Sequence, residues 1–302
     1  MSAPVRLVHH RYNNAREIAA YAQMRDEAGL DAAEQDLFSL CFAKGSRLLD
    51  LGCGAGREAF GAARRGYEVV GVDVVHAMLR NGKHAAQNEG LAVQWLRADV
   101  GYLPFASGSF DGALLVCQLL EHFHGRANRL RILREAARVV KPGGHLVLSV
   151  HNGLWRPGAR HWLLRYARRR ENGELPEAGG GVARRLVRRQ RVLRAADLKD
   201  AGFLAARRVR FEAQTLARRV ARGLGLPALE PGDGWTATVS HAGPAPLGMP
   251  FHPYSRGELR LDLRKAGLRL VAERPFPLPP KGRLGAIAVR GADFWYAAAR
   301  VS

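Results

Sequence analysis

Cysteine is scarce in this sequence: Cys41, Cys53 and Cys117 are all that 302 residues contain. Their odd number and wide spacing exclude a disulfide framework and a C-x-x-C metal knuckle, and make a reducing cytoplasm the default location. Long apolar runs are missing as well. Those at 112–117 and 146–150 fall far short of the roughly 20 residues that span a bilayer, so no membrane partner is expected. The N-terminus has no apolar signal-peptide core, because His9, His10 and Arg11 interrupt it. Low-complexity tracts and short-period repeats are absent too. Acidic residues are few, 27 against 47 basic ones, and only six of the basic residues are lysine.

What is present describes a folded protein. A chain of 47% hydrophobic, 25% charged and 8% aromatic residues has a full core and is not disordered. Its length suits one large domain or two small ones. The net charge of +20 and pI near 11.0 point toward a polyanionic partner. That charge is concentrated: residues 154–222 carry 19 basic and 6 acidic residues. Arginine abundant together with alanine and glycine is also what GC-rich coding produces, so part of the charge has no functional meaning.

Four zones follow from the patterning. Residues 1–45 read as a helical cap, with apolar residues at helical spacing over 15–24 and 31–42 and Asp31 as N-cap. Residues 46–151 alternate strands (47–51, 68–73, 92–97, 111–117, 145–151) with helices (56–65, 76–89, 126–140), the last helix stopped by Pro142-Gly-Gly. This alternation with short connections predicts a parallel sheet covered on both faces. Residues 152–235 form an Arg-rich helical insertion, and 236–302 resume the α/β pattern. Two segments, 195–204 and 256–269, echo each other as helix, glycine stop and strand; the second reads as part of the sheet and the first as part of the insertion.

The chemistry concentrates at L-L-D-L-G-C-G-A-G, residues 48–56. A strand ending in Asp50 runs into Gly52, Gly54 and Gly56 just before a helix, and the missing Cβ atoms let backbone amides approach a ligand. The dinucleotide fingerprint G-x-G-x-x-G would need glycine at 57, where Arg57 stands. The next strand ends in Asp73, 17 residues after Gly56, where a carboxylate can accept both ribose hydroxyls. A third strand ends at Asp99, placed to read an adenine amino group.

With V-G-V-D at 70–73, A-D-V-G-Y-L-P-F at 98–105, S-F-D at 109–111 and R-V-V-K-P-G-G at 138–144, the region 45–151 resembles the core of class I S-adenosylmethionine-dependent methyltransferases. The likeness extends more weakly to 254–271, which looks like the last helix and following strand of that family. It implies a Rossmann-like, seven-stranded, mostly parallel α/β sheet with helices on both faces. It also implies methyl transfer from S-adenosylmethionine with S-adenosylhomocysteine as product. Carried over by residue, Asp50 and the turn of Gly52, Cys53, Gly54 and Gly56 hold the methionine part. Asp73 holds the ribose, Val74 packs on the adenine, and Asp99 with the Val100 amide reads its edge. Cys117 and Gln118 border methionine and substrate.

Methyl transfer asks for alignment and water exclusion more than for acid–base groups, unless the acceptor is protonated. The local candidates are Glu121 and His122. Residues 117–122, C-Q-L-L-E-H, are similar to the E-x-L-E-H run of ubiquinone-pathway O-methyltransferases, where two glutamates and a histidine bind a divalent metal. Gln118 replaces the first of those glutamates, and an uncharged amide is a poor ligand for a hard cation, so no metal is expected. His9, His10, Tyr12 and Tyr21 are candidate capping residues, and His241 and His252 of the Pro/Gly-rich stretch 241–253 are substrate-side candidates. The acceptor reads as a small molecule. The alternatives are tRNA or rRNA held by the basic insertion, where Trp155, Trp162 and Tyr166 interleave with arginines, and a fold kept as a non-catalytic binding module.

Overall fold

A computed structural model describes residues 3–151, 234–236, 239–240, 243–244, 249–252, 254–276 and 294–301. These fall in one unit of the chain, built from Met1–Trp155 and Glu230–Ser302. Residues 152–233 of the basic insertion, including Trp155, Trp162 and Tyr166, lie outside the described residues, as do His241 and the first of the two echoing segments.

Seven strands form one sheet. They are β1 (Arg47–Leu51), β2 (Glu68–Asp73), β3 (Val93–Arg97), β4 (Phe110–Leu115), β5 (Val140–His151), β6 (Leu268–Phe276) and β7 (Phe294–Val301), in the order β6-β7-β5-β4-β1-β2-β3. The five strands from β3 to β5 pair in parallel, and β7 runs antiparallel between β5 and β6. The expected seven-stranded, mostly parallel α/β sheet is what the chain forms.

The two-residue period of a strand explains its two cores. Leu49, Leu51, Val70, Val72, Ala113, Leu115, Leu146 and Leu148 face one side. Their neighbours Leu48, Val69, Leu114 and Val147 face the other. Buried on both faces, the central strands read as continuous apolar runs, as parallel sheets require. The described helices are α1 (Ala3–Tyr12), α2 (Ala15–Ala28), α3 (Ala32–Cys41), α4 (Arg57–Ala63), α5 (His76–Asn88), α6 (Arg126–Val139) and α7 (Arg256–Lys265), with a 3-10 turn at Leu119–His122. Two short antiparallel pairs, Gly234–Thr236 with Met249–Phe251 and Val239–Ser240 with Gly243–Pro244, stand outside the main sheet. Among the described residues, no helix is long and apolar enough to cross a membrane.

Several local signals act as expected. Asp31 caps α3, accepting from the Ala33 and Glu34 amides at 2.9 Å, while Glu34 accepts from the Asp31 amide at 2.8 Å in a full capping box. Ser255 caps α7, and the second echoing segment is α7 followed by β6. His9, His10 and Tyr12 stand on a helix, α1, within the segment expected to be helical. Two expectations change. β4 ends at Leu115 rather than 117, because Cys117 and Gln118 both turn into the left-handed region, at φ 51° and 55°. Pro142-Gly-Gly does not separate α6 from a strand starting at 145. Instead β5 starts at Val140, with an irregularity in its pairing to β4 between Phe110 and Gly112. A Cβ at Gly144 would lie 2.5 Å from the Asp111 carbonyl, so glycine there permits close approach of the two backbones.

Candidate active site

Strand order reverses around β1, with β2 on one side and β4 on the other. Ligands of open parallel sheets bind at such a switch point, beyond the carboxyl ends of the strands. Two clefts open there and share Gly52.

The first is lined by Asp50, Gly52, Cys53, Gly54, Arg57, Glu58 and Cys117 beneath Tyr21 and Met24 of α2. Gly52, Gly54 and Gly56 all have positive φ, at 70°, 53° and 99°, a backbone that side chains with a Cβ rarely adopt. Their further reasons differ. A Cβ at Gly52 would strike Leu119 at 2.3 Å, and one at Gly56 would strike Trp95 at 2.5 Å. Gly56 therefore serves the packing of α4 against β3 and lines neither cleft. A Cβ at Gly54 would meet only Tyr21, at 3.6 Å, in the space between turn and α2.

The floor of this cleft is ionisable. Arg57 donates to both oxygens of Glu34, at 2.5 and 2.9 Å, to Glu58, to the Gly29 carbonyl at 2.7 Å and to the Cys117 sulfur at 3.5 Å. Asp50, buried at the end of β1, keeps one carboxylate oxygen without a partner. One guanidinium thus faces three carboxylates. Burial, and then Glu58, push the Asp50 carboxyl well above the usual range. Burial pushes Glu34 up to about 7 despite Arg57. Burial also raises the thiols of Cys53 and Cys117, so neither is a thiolate nucleophile.

The second cleft is lined by Val5 and Val8 of α1 with Gly52, Asp73, Val74, Val100, Leu119 and Phe123. It is apolar except for Asp73, whose carboxylate accepts from the Gly54 amide at 3.0 Å and the Val75 amide at 2.8 Å. Burial raises the Asp73 pKa, and those amides act against it. Asp99 accepts from the Gly101 amide at 2.9 Å and lines neither cleft.

The residues after β4 separate in space. Cys117 lines the first cleft, whereas the Gln118 amide and side chain both donate to Ser149 Oγ of β5, at 3.2 and 3.1 Å. His122 lies 3.4 Å from the Tyr12 hydroxyl, tying this turn to α1. Glu121 turns the other way. It is fully buried and lines neither cleft, accepting the His151 amide and meeting His151 Nδ1 at 2.5 Å. Both of its oxygens therefore serve β5. Among the capping candidates, Tyr21 lines the first cleft, while His9 and His10 line neither. His252 is buried with its ring 2.7 Å from Glu258. Sequence reasoning missed Arg57, Glu58 and Glu34 as site residues. The capping box marked Glu34 as ordered, but nothing in the spacing brought it to Arg57.

Comparison with known proteins agrees with this fold. Residues 49–148 match the family model described as a methyltransferase domain. The chain is 34% identical over 126 residues to methyltransferase GfsG of Streptomyces halstedii, covering 41% of this chain and 44% of that one. It is 36% identical over 109 residues to a ubiquinone biosynthesis O-methyltransferase of Alkalilimnicola ehrlichii, covering 36% and 43%. The matched segment spans less than half the length of these relatives. A solved S-adenosylmethionine-dependent methyltransferase of Methanosarcina mazei shares the fold, with a TM-score of 0.54 at 18% identity over 90% of this chain and 98% of that one. Residues 49–148 thus match a methyltransferase domain, and the chain shares its fold with class I S-adenosylmethionine-dependent methyltransferases, whose cofactor is S-adenosylmethionine.

Proposed function

We propose that the chain transfers a methyl group from S-adenosylmethionine to a small-molecule acceptor. The observation that carries this reading is the pair of clefts joined at Gly52, one charged and one apolar, at the carboxyl ends of β1, β2 and β4. The cofactor supplies an already activated methyl on its sulfonium. The residues of the two clefts fit its parts. The carboxylates of Asp50 and Glu58 suit an ammonium group, and the partnerless Asp50 oxygen calls for a donor. The turn of Gly52, Cys53 and Gly54 brings its backbone close to the same end, with its amides held by the Val72 carbonyl and Asp73, and Cys117 borders it. In the second cleft Asp73 holds the ribose hydroxyls, and Val74 and Val100 cover the adenine face. Asp99, with the Val100 amide, reads the adenine edge from just outside.

Helices α1 and α2 exclude water by covering both clefts, with Val5 and Val8 over one and Tyr21 and Met24 over the other. A small-molecule acceptor is supported by the relative named for ubiquinone biosynthesis. The test is incubation with labelled S-adenosylmethionine and cell extract, followed by separation of RNA, protein and metabolites. Label in the metabolite fraction is expected. Label in RNA, with RNA retention that survives from about 50 to about 200 mM salt, where six or more phosphate contacts lose on the order of a thousandfold, would overturn the small-molecule reading.

A further inference from the structure

We propose that Ser149 is a positioning residue for the bound cofactor: its hydroxyl holds the turn after β4 in a strained shape that closes the wall where the two clefts join. The inference rests on the methyltransferase reading above. Three observations carry it. First, Cys117 and Gln118 are the only residues other than glycine with positive φ among the described ones, at 51° and 55°, and they are adjacent. Side chains with a Cβ rarely adopt that backbone, and it persists only where the surrounding structure over-determines it. Second, Ser149 is the one polar residue of the buried run 146–150 on β5. It is fully buried, and its Oγ accepts from the Gln118 amide at 3.2 Å and from Gln118 Nε2 at 3.1 Å. Third, the strained turn borders both clefts. Cys117 lines the charged one, Leu119 lines the apolar one, and Leu119 occupies the space that a Cβ at Gly52 would need.

A serine oxygen has two lone pairs, so it can take both Gln118 donors at once. A buried hydroxyl without partners would be costly, and the two donors of Gln118 meet that need. The left-handed pair ends β4 and leads into the 3-10 turn Leu119–His122. Cys117 is held from the cleft side as well: its thiol donates to Glu58 at 3.2 Å, and Arg57 donates to its sulfur at 3.5 Å. Gln118 lines neither cleft and fastens the turn to β5 instead.

On the reading above, the amino-acid part of the cofactor takes the charged cleft and its nucleoside the apolar one. The sulfur joins those two parts, so the turn borders the stretch of the cofactor that carries the methyl. Ser149 lines neither cleft and acts on that stretch through Cys117 and Leu119.

The test is calorimetric titration of the full chain with S-adenosylhomocysteine. Apparent affinity scales with the fraction of molecules that hold the binding shape, so Ser149→Ala, which removes both bonds, should weaken binding about tenfold if that fraction falls to about a tenth. Gln118→Gly adopts the left-handed backbone freely. In that background Ser149→Ala should cost no more than about twofold, whereas a hydroxyl that served stability alone would cost the same in both. Gln118→Met spares the buried serine and reads the same clamp in a chain whose core is intact. It should speed hydrogen exchange of the amide at position 118 and weaken binding by a smaller factor. Wild-type affinity in Ser149→Ala or Gln118→Met, or an equal loss from Ser149→Ala with and without Gln118→Gly, overturns the proposal. Failure of the unaltered chain to bind S-adenosylhomocysteine overturns the methyltransferase reading and the proposal with it.

Discussion

The two clefts that meet at Gly52 are built from opposite materials. One is floored by Asp50, Arg57 and Glu58 with Glu34 behind them; the other is walled by Val5, Val8, Val74, Val100, Leu119 and Phe123 and holds a single carboxylate, Asp73. The difference teaches where each kind of stabilisation comes from. Apart from Asp50 of β1, the charged floor is supplied by residues of α3 and α4 that must pair to be buried at all. The apolar wall comes from strand ends and α1, and its one carboxylate is held by backbone amides. A zwitterionic amino-acid group suits the first and a flat base with a diol suits the second.

The largest effect expected from breaking this contrast is at Arg57. Arg57→Met leaves Glu34 and Glu58 buried without their cation, and stability should fall by about 3–5 kcal/mol, read by denaturant unfolding at neutral pH. The same floor gives a pH signature. Because the Glu34 carboxyl is raised from 4.5 to about 7 in the folded protein, the fold binds more protons than the unfolded chain in that window. Its contribution is greatest at low pH and is lost as pH rises from about 4.5 to about 7. Glu34→Gln should flatten the stability profile over that interval; an unchanged slope would assign it elsewhere.

Next in size is Asp73→Ala. It removes the carboxylate proposed to hold the ribose and should cost about 1.5–3 kcal/mol of S-adenosylhomocysteine affinity, measured by calorimetry. Adenosine alone should lose as much, because the loss belongs to the apolar cleft. Glu58→Gln sharpens the division from the other side. It should weaken S-adenosylhomocysteine while leaving adenosine unchanged, and equal losses for both ligands would dissolve the distinction between the clefts. The smallest effect is at the α3 cap. Asp31→Ala deprives the Ala33 and Glu34 amides of their acceptor and should cost about 1 kcal/mol of stability. It should perturb the charged floor, through Glu34, without touching adenosine binding.

Much of this is legible in the sequence. Strand-end spacing and family resemblance single out Gly52, Gly54, Asp73, Val74 and Val100, and all five line the two clefts. The alternation of Leu48 with Leu49, or Val69 with Val70, marks strands buried on both faces. Pro142-Gly-Gly misleads because a local breaker signal looks the same whether it ends a helix or sits in a strand. Only the pairing of Val140 with Phe110 and of His145 with Gly112 shows that the strand continues through it. Glu121 misleads in another way. Adjacency to His122 suggests a shared role, but consecutive residues of a tight turn point apart, and Glu121 meets His151 while His122 meets Tyr12.

The sequence by itself determined the parallel sheet, the glycine turn and the carboxylates that end β1 and β2. All of these depend on periodicity and on backbone conformations that only certain residues adopt. The tertiary structure alone decided which distant side chains share a site: Glu34 with Arg57, Val5 and Val8 over Asp73, Glu121 with His151. Such pairings depend on where helices dock on the sheet. Docking is settled by packing across the whole core, so residues 23 or 30 positions apart meet for reasons that no local window of sequence contains.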